Sequence, residues 1–188
     1  MSGNDSPYLA GPLLLAMPGM GDPRFDHAVI AMIRHDNDGA LGLGIGKAIS
    51  GVTLHSIMAD LDIDPGEAPD DPVLLGGPVE TERGFVLHSP EWRSEATIDA
   101  PGLGSMTMSR DVLAAIAAGV GPRRFAVVLG YAGWDAGQLD GEMHRHGWYA
   151  AEGREEIVFD TPVEDRWRAA WLAEGVDPAL LASQTGRA

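Results

Sequence analysis

Short apolar runs separated by glycine-, proline- and aspartate-rich breaks dominate this chain, and few stretches carry the 3.6-residue spacing of an amphipathic helix. Leu9 to Met17 reads as a strand closed by Pro18-Gly19. His27 to Ile33 and Leu41 to Ile45 read as two more, with Asp36-Asn37-Asp38-Gly39 between them as a hairpin turn. Thr53 is placed to cap a short helix whose apolar residues Leu54, Ile57, Met58 and Leu61 fall at i, i+3, i+4 and i+7. An acidic loop from Asp62 to Pro72 leads into a strand, Val73 to Leu75. Gly76-Gly77-Pro78 breaks that strand, and Gly84-Phe85-Val86-Leu87-His88 is its expected antiparallel partner. Thr97-Ile98 and Met106 to Met108 are expected strands around a Pro-Gly turn.

The second half is patterned more sharply. Ser109 is placed to cap a helix through Ala118, with Val112, Leu113, Ile116 and Ala117 on one face and Gly119 just past its end. Phe125 to Leu129 reads as a buried strand. A glycine turn with aromatics follows, and Asp135 with Gln138 reads as a capping pair for a helix from about Ala136 to His146. Trp148-Tyr149-Ala150 and Ile157-Val158-Phe159 read as strands. Thr161-Pro162-Val163-Glu164 combines a cap, a first-turn proline and an N3 glutamate, the mark of a helix start. Trp167 and Trp171 would share that helix's buried face, Gly175 would end it, and Asp177-Pro178 would open a last short helix. Strands and helices do not alternate strictly and several strands look hairpin-linked. The pattern therefore predicts an α+β single domain with a mostly antiparallel sheet over residues 9–186, behind a flexible leader, residues 1–8.

Composition narrows the function more than the fold. The 188 residues carry 13 Lys and Arg against 28 Asp and Glu, a net charge of −15, and Lys47 is the single lysine. A phosphate backbone needs a basic face, so direct nucleic-acid binding is not expected, and an anionic membrane would repel the chain. There is no cysteine, which removes disulfides, thiolate catalysis and cysteine zinc sites. The leader is polar without basic residues and Leu13 to Met17 is too short to span a bilayer, so cytoplasmic residence is expected.

Four motifs invite chemistry. Gly42-Leu43-Gly44-Ile45-Gly46-Lys47 resembles a nucleotide loop, but Leu41 and Ala48 stand where a phosphate loop needs glycine and a hydroxyl, and a glycine-rich strand with close backbone packing fits better. Asp60, Asp62, Asp64 and Asp71 match positions of a calcium loop, yet Gly66 is one residue late and the last ligand is not glutamate; a solvated loop is the simpler reading. His144 and His146 lie two apart and do not share a helix face. His88-Ser89 are neighbours on a strand and point to opposite faces. No metal or cofactor site is expected from these patterns.

The stretch Gly130 to Gln138 is the strongest candidate, because a strand, glycines and a helix N-terminus together can cradle an anion or small ligand. Candidate binding residues are Gly76, Gly77, Pro78, His88, Tyr131, Gly133, Trp134, Asp135 and Gln138. Packing of large aromatics beside close-approach glycines is the competing account.

Leu13-Leu14-Leu15-Ala16-Met17-Pro18 with Asp22-Pro23-Arg24-Phe25, then Gly39-Ala40-Leu41-Gly42-Leu43, then Gly76-Gly77-Pro78-Val79 with Gly84 to His88, and finally Leu129 to Leu139 with Trp148 and Arg166-Trp167, form a joint pattern. It resembles the YqgE/AlgH family, bacterial proteins without an established biochemical activity, from about Leu9 to Gly186. Where that family usually continues its second motif with Asn-Arg-Pro, this chain has Gly46-Lys47-Ala48. The resemblance implies a bent sheet approaching a barrel with flanking helices. It also implies a regulatory role in transcription, through one member linked to alginate production. The reading is a non-catalytic module binding a small molecule or protein. The alternative is an enzyme acting on a small anionic substrate at the Gly130–Gln138 corner, with His88 as acid or base.

Overall fold

A computed structural model describes residues 11–20, 23–145 and 147–182. The leader 1–8, the expected strand start at Leu9, Asp22, His146 and the segment 183–186 lie outside the described residues. Among the described residues ten strands form one sheet. They are β1 (Leu13–Ala16), β2 (Val29–Asp36), β3 (Gly39–Gly44), β4 (Ala48–Thr53), β5 (Pro72–Leu75), β6 (Val79–His88), β7 (Thr97–Ala100), β8 (Gly104–Thr107), β9 (Phe125–Asp135) and β10 (Trp148–Ala151). The main order is β10-β1-β2-β3-β9-β6-β8-β7, all antiparallel. β5 alone runs parallel to its neighbour β9, and β4 attaches to β5. The helices are α1 (Leu54–Asp60), α2 (Arg110–Ala117), α3 (Gln138–His144), α4 (Arg166–Ala173) and α5 (Pro178–Ala182). The fold is α+β, a curled antiparallel half-barrel with helices around it.

Strand periodicity sorts the side chains into an inner and two outer clusters. Leu13, Leu15, Val29, Ala31, Leu43, Phe85, Leu87 and Val128 face the concave interior, where α4 delivers Ala170 and Trp171. Leu14, Ala16, Ile30, Met32, Ala132 and Trp134 face outward and are covered by Leu139 of α3 and by Trp148. Val73, Val86 and Val127 face outward elsewhere, under Leu54 and Met58 of α1 and Val112, Leu113 and Ile116 of α2. α1 opens as expected: the Thr53 side chain accepts from Ser56 N–H and the Ser56 side chain accepts from Thr53 N–H.

β9 holds the sheet together. Val128 and Leu129 pair with β5 on one edge and with β6 on the other, while Ala132 to Asp135 pair with β3. The chain between β5 and β6 must therefore pass across β9, and it does so at Gly130 (φ +72°). A Cβ on Gly76 would sit 2.0 Å from the Gly130 carbonyl oxygen, and one on Gly77 2.2 Å from the Tyr131 carbonyl carbon. Two backbones cross here with no room for a side chain on either.

Five expectations are corrected. β6 does not pair with β5; Gly76-Gly77-Pro78 is the crossing, not a hairpin turn. Gly130 to Asp135 continues β9 rather than turning, because β3 and β6 offer ladder partners that local sequence cannot reveal. Asp135 does not cap α3: the N-cap is Gly137, and only half of the capping pair survives, with Asp135 N–H donating to Gln138 Oε1 at 3.1 Å. Ile157-Val158-Phe159 lies in a single π-helical turn, Glu156–Asp160, which buries the consecutive Ile157 and Val158 together, as a two-faced strand would not. Thr161 closes that turn by donating to the Glu156 carbonyl at 3.0 Å, so it does not cap α4, which is entered through a 3₁₀ turn, Val163–Asp165.

Candidate functional site

The crossing of β5–β6 over β9 leaves a cavity of about 350 Å³ beside it. It forms because β3 and β5 meet the same edge of β9 end to end: Gly44 N–H donates to the Gly76 carbonyl at 2.7 Å, and Gly76 N–H donates to Leu129 at 2.8 Å. Glycines stand where backbone comes closest, since a Cβ on Gly44 would lie 2.5 Å from the Leu75 carbonyl oxygen. The walls are Val29 and Ile30 of β2, Ala132 of β9, Leu75, and Phe25 with Ala28 from the loop before β2. Gly76, Gly77 and Pro78 form one side, and Thr81 adds a hydroxyl. The charged lining groups are Arg24 and Lys47, with no carboxylate among the described lining residues. In a chain of net charge −15 the single lysine stands at this cavity. Charges around a low-dielectric concavity focus the local field.

The nine residues expected to share a site fall in several places. Gly76, Gly77 and Pro78 line the cavity. Tyr131 packs toward the interior with its ring edge-on to Phe85, centroids 6.0 Å apart. Trp134 points to the opposite face of the sheet, as strand alternation requires of residues three apart on β9. Its indole Nε1–H donates to Glu142 Oε2 at 3.0 Å, the Trp148 indole donates to the same oxygen at 3.0 Å, and Gln138 Nε2 donates to Glu142 Oε1 at 3.1 Å. The corner's polar groups are thus engaged by one carboxylate. Gly133 and Asp135 are exposed at the far end of β9.

His88 lies elsewhere again, fully buried on β6. Its Nδ1 meets the Ser89 carbonyl at 3.0 Å, which fixes the proton on Nδ1, and its Nε2 accepts from the Thr107 hydroxyl at 2.9 Å. Thr107 in turn accepts from Thr97, whose oxygen accepts from Ser94 N–H. Burial pushes the His88 pKa below its ordinary value. This is a neutral imidazole inside a hydroxyl chain, with both nitrogens occupied.

Sequence reasoning missed Arg24, Phe25, Lys47, Thr81 and Ala132. Lys47 carried a usable signal: one lysine after three glycines in an acidic chain. The rest become neighbours only through sheet closure. A second cavity of about 200 Å³ lies between β5, β9 and the approach to α4. A third, of about 440 Å³, lies between α1, β6 and α2, where Arg110 is bound to the Leu61 carbonyl. In the acidic loop Asp64 Oδ1 accepts from Gly66 N–H at 3.0 Å and Asp70 Oδ1 from His55 N–H at 3.1 Å, so these carboxylates serve the local backbone. No group of three or more His, Asp or Glu among the described residues could hold a metal ion. No helix among them is long and apolar enough to cross a membrane.

Comparison with known proteins agrees with this architecture. The AlgH-like family profile matches residues 13–179, somewhat inside the span the motifs suggest. A UPF0301 protein of Novosphingobium aromaticivorans is 62% identical over 185 residues, 98% of this chain and 100% of the relative. One from Rhizorhabdus wittichii is 54% identical, covering 96% and 97% of the two chains. The solution structure of the AlgH protein from Pseudomonas aeruginosa matches with a TM-score of 0.80 at 39% identity, covering 100% of both chains. A Corynebacterium diphtheriae protein shares the fold at a TM-score of 0.73 and 19% identity, over 97% of this chain and 94% of that one. With the profile spanning most of its length and such relatives aligned end to end, the chain belongs to the AlgH-like, or YqgE/AlgH, family.

Proposed function

We propose that this protein is a non-catalytic cytoplasmic module that binds an amphipathic anion in the cavity beside the β5–β6 crossing and acts in regulation through the liganded state. One observation carries the reading: a cavity of about 350 Å³ with apolar and glycine walls, cationic groups Arg24 and Lys47, and no carboxylate among the described lining residues, in a chain of net charge −15. That volume falls in the range of small-molecule sites, roughly 300–1,000 Å³. Apolar walls favour a hydrocarbon body, and Lys47 favours a carboxylate or phosphate head. Where relatives usually carry Asn-Arg-Pro, Gly46-Lys47-Ala48 keeps a cation but trades a planar fork for a point charge, which suits a different head-group geometry. The regulatory part of the reading rests on family resemblance alone.

Thermal-shift and calorimetric titration with fatty acyl carboxylates, aromatic carboxylates and nucleoside monophosphates tests it. Saturable binding that falls about tenfold in Lys47→Gln, equal to about 1.4 kcal/mol, is expected. Lys47 is exposed, so the unliganded melt of the variant should match wild type. Binding of equal strength in Lys47→Gln, or no binding across the panel, sinks the reading.

A further inference from the structure

The second cavity contains the more unusual charge. Arg166, the first residue of α4, is 6% exposed. Its Nε–H donates to the Thr161 carbonyl at 3.1 Å and its Nη1 donates to the Ile45 carbonyl at 2.8 Å. Both partners are neutral. Among the described residues Arg166 forms no ion pair, and no hydrogen bond involves Nη2. Arg166 lines the second cavity. A buried cation is expensive unless it is paired. Burial holds the guanidinium pKa down to about 10, with the nearby Glu164 acting in the opposite direction.

We propose that this cavity is a carboxylate site, with Arg166 binding the head group and the apolar walls taking a short hydrocarbon tail. Two carbonyl acceptors alone do not require a guanidinium. What arginine adds is a planar fork whose remaining N–H groups match the two oxygens of a carboxylate. The walls beyond Arg166 are Leu54, Leu74, Phe125, Val127 and Phe159, so a branched or aromatic tail of a few carbons fits a space of about 200 Å³. Asp71 is the one carboxylate among the described lining residues. It disfavours a phosphate dianion and offers an acceptor to a ligand ammonium group, so a plain carboxylic acid and an α-amino acid with the same tail are the two sources of this chemistry.

The test is a ¹H–¹⁵N titration of the folded wild-type protein with isovalerate, with leucine, and with inorganic phosphate for comparison. Saturable shifts at the Arg166 side-chain Nε–H and at the Val73 and Val163 amides, with Thr81 unmoved, are expected for one or both carboxylates. Tighter binding of leucine, lost in Asp71→Asn while isovalerate binding persists, identifies the amino acid; equal binding identifies the plain acid. Arg166→Lys, which keeps the charge and loses the fork, should weaken binding at least tenfold. Asp71→Asn is an exposed substitution that keeps the question answerable if Arg166→Lys does not fold. The proposal is overturned by absence of saturable shifts on wild type, by shifts centred on Thr81 and Lys47 instead, by phosphate binding as tightly as either carboxylate, or by undiminished binding in a folded Arg166→Lys.

Discussion

Replacing Glu142 by alanine should be among the most damaging single changes on the surface-facing side of the sheet. The side chain is only half buried, yet it accepts from Trp134 and Trp148, which are 9% and 6% exposed, each at 3.0 Å. Removing it leaves two buried indole N–H groups without an acceptor, at about 1–3 kcal/mol each. Gln138 is exposed and returns to water at little cost. Water entering the vacated space recovers part of the loss, so about 2–4 kcal/mol is expected in urea melts with an unchanged slope. For a chain of this size that lowers the melting temperature by about 4–16 °C. A double-mutant cycle isolates the cause. Trp134→Phe should cost about 1 kcal/mol alone. In the Glu142→Ala background it should cost nothing or restore stability, because phenylalanine brings no N–H to satisfy. Additive losses, or Glu142→Ala within about 0.5 kcal/mol of wild type, would refute the account.

Two further outcomes follow from the same geometry. His88 titrates below its ordinary value in the folded state, so as pH falls through about 6.5 the unfolded chain takes up a proton that the native chain does not. Its stabilising contribution is therefore complete above that pH and declines below it, and the stability gap between wild type and His88→Gln should narrow from pH 7.5 to 5.5; a constant gap in denaturant melts contradicts this. Gly77→Ala sets a Cβ against the Tyr131 backbone at 2.2 Å and φ +154° and should cost more than about 3 kcal/mol, whereas Gly137→Ala, at φ +73° with open space around it, should cost about 1–2 kcal/mol. Similar melts for the two would mean that the crossing can yield.

Much of the architecture was legible because local rules suffice for it. The Asp36–Gly39 hairpin, the Thr53 cap and Gly119 beyond α2 all depend on residues a few positions away, and all stand where the spacing puts them. What failed depended on distant backbone. Gly130 is a glycine because Gly77 lies against it, and a turn and a crossing make the same demand on a residue. Ile157-Val158-Phe159 is an apolar run too short to distinguish a strand from a helical turn by period. The candidate site was legible only at Gly76-Gly77-Pro78. Tyr131 and Trp134, three apart in sequence, fall on opposite faces by plain strand alternation, because Gly130 to Asp135 is strand and not a turn. Arg24 and Lys47 reach one cavity only because β2 and β3 lie beside the crossing, which no local pattern encodes.

The pairing of β1 with β10, Leu13 opposite Ala151, has a consequence for how the chain is made. A ribosome adds roughly 5–20 residues per second, so β1 and β2 emerge on the order of ten seconds before β10 exists. During that interval the outer edge of β1 has open N–H and C=O groups, and Leu13, Leu14 and Leu15, each 0% exposed in the finished fold, have only part of their cover. An unpaired apolar edge recruits any strand that passes. Nascent chains stalled before Trp148 should therefore be the form of this protein that depends most on holding chaperones, and release of β10 should end that dependence.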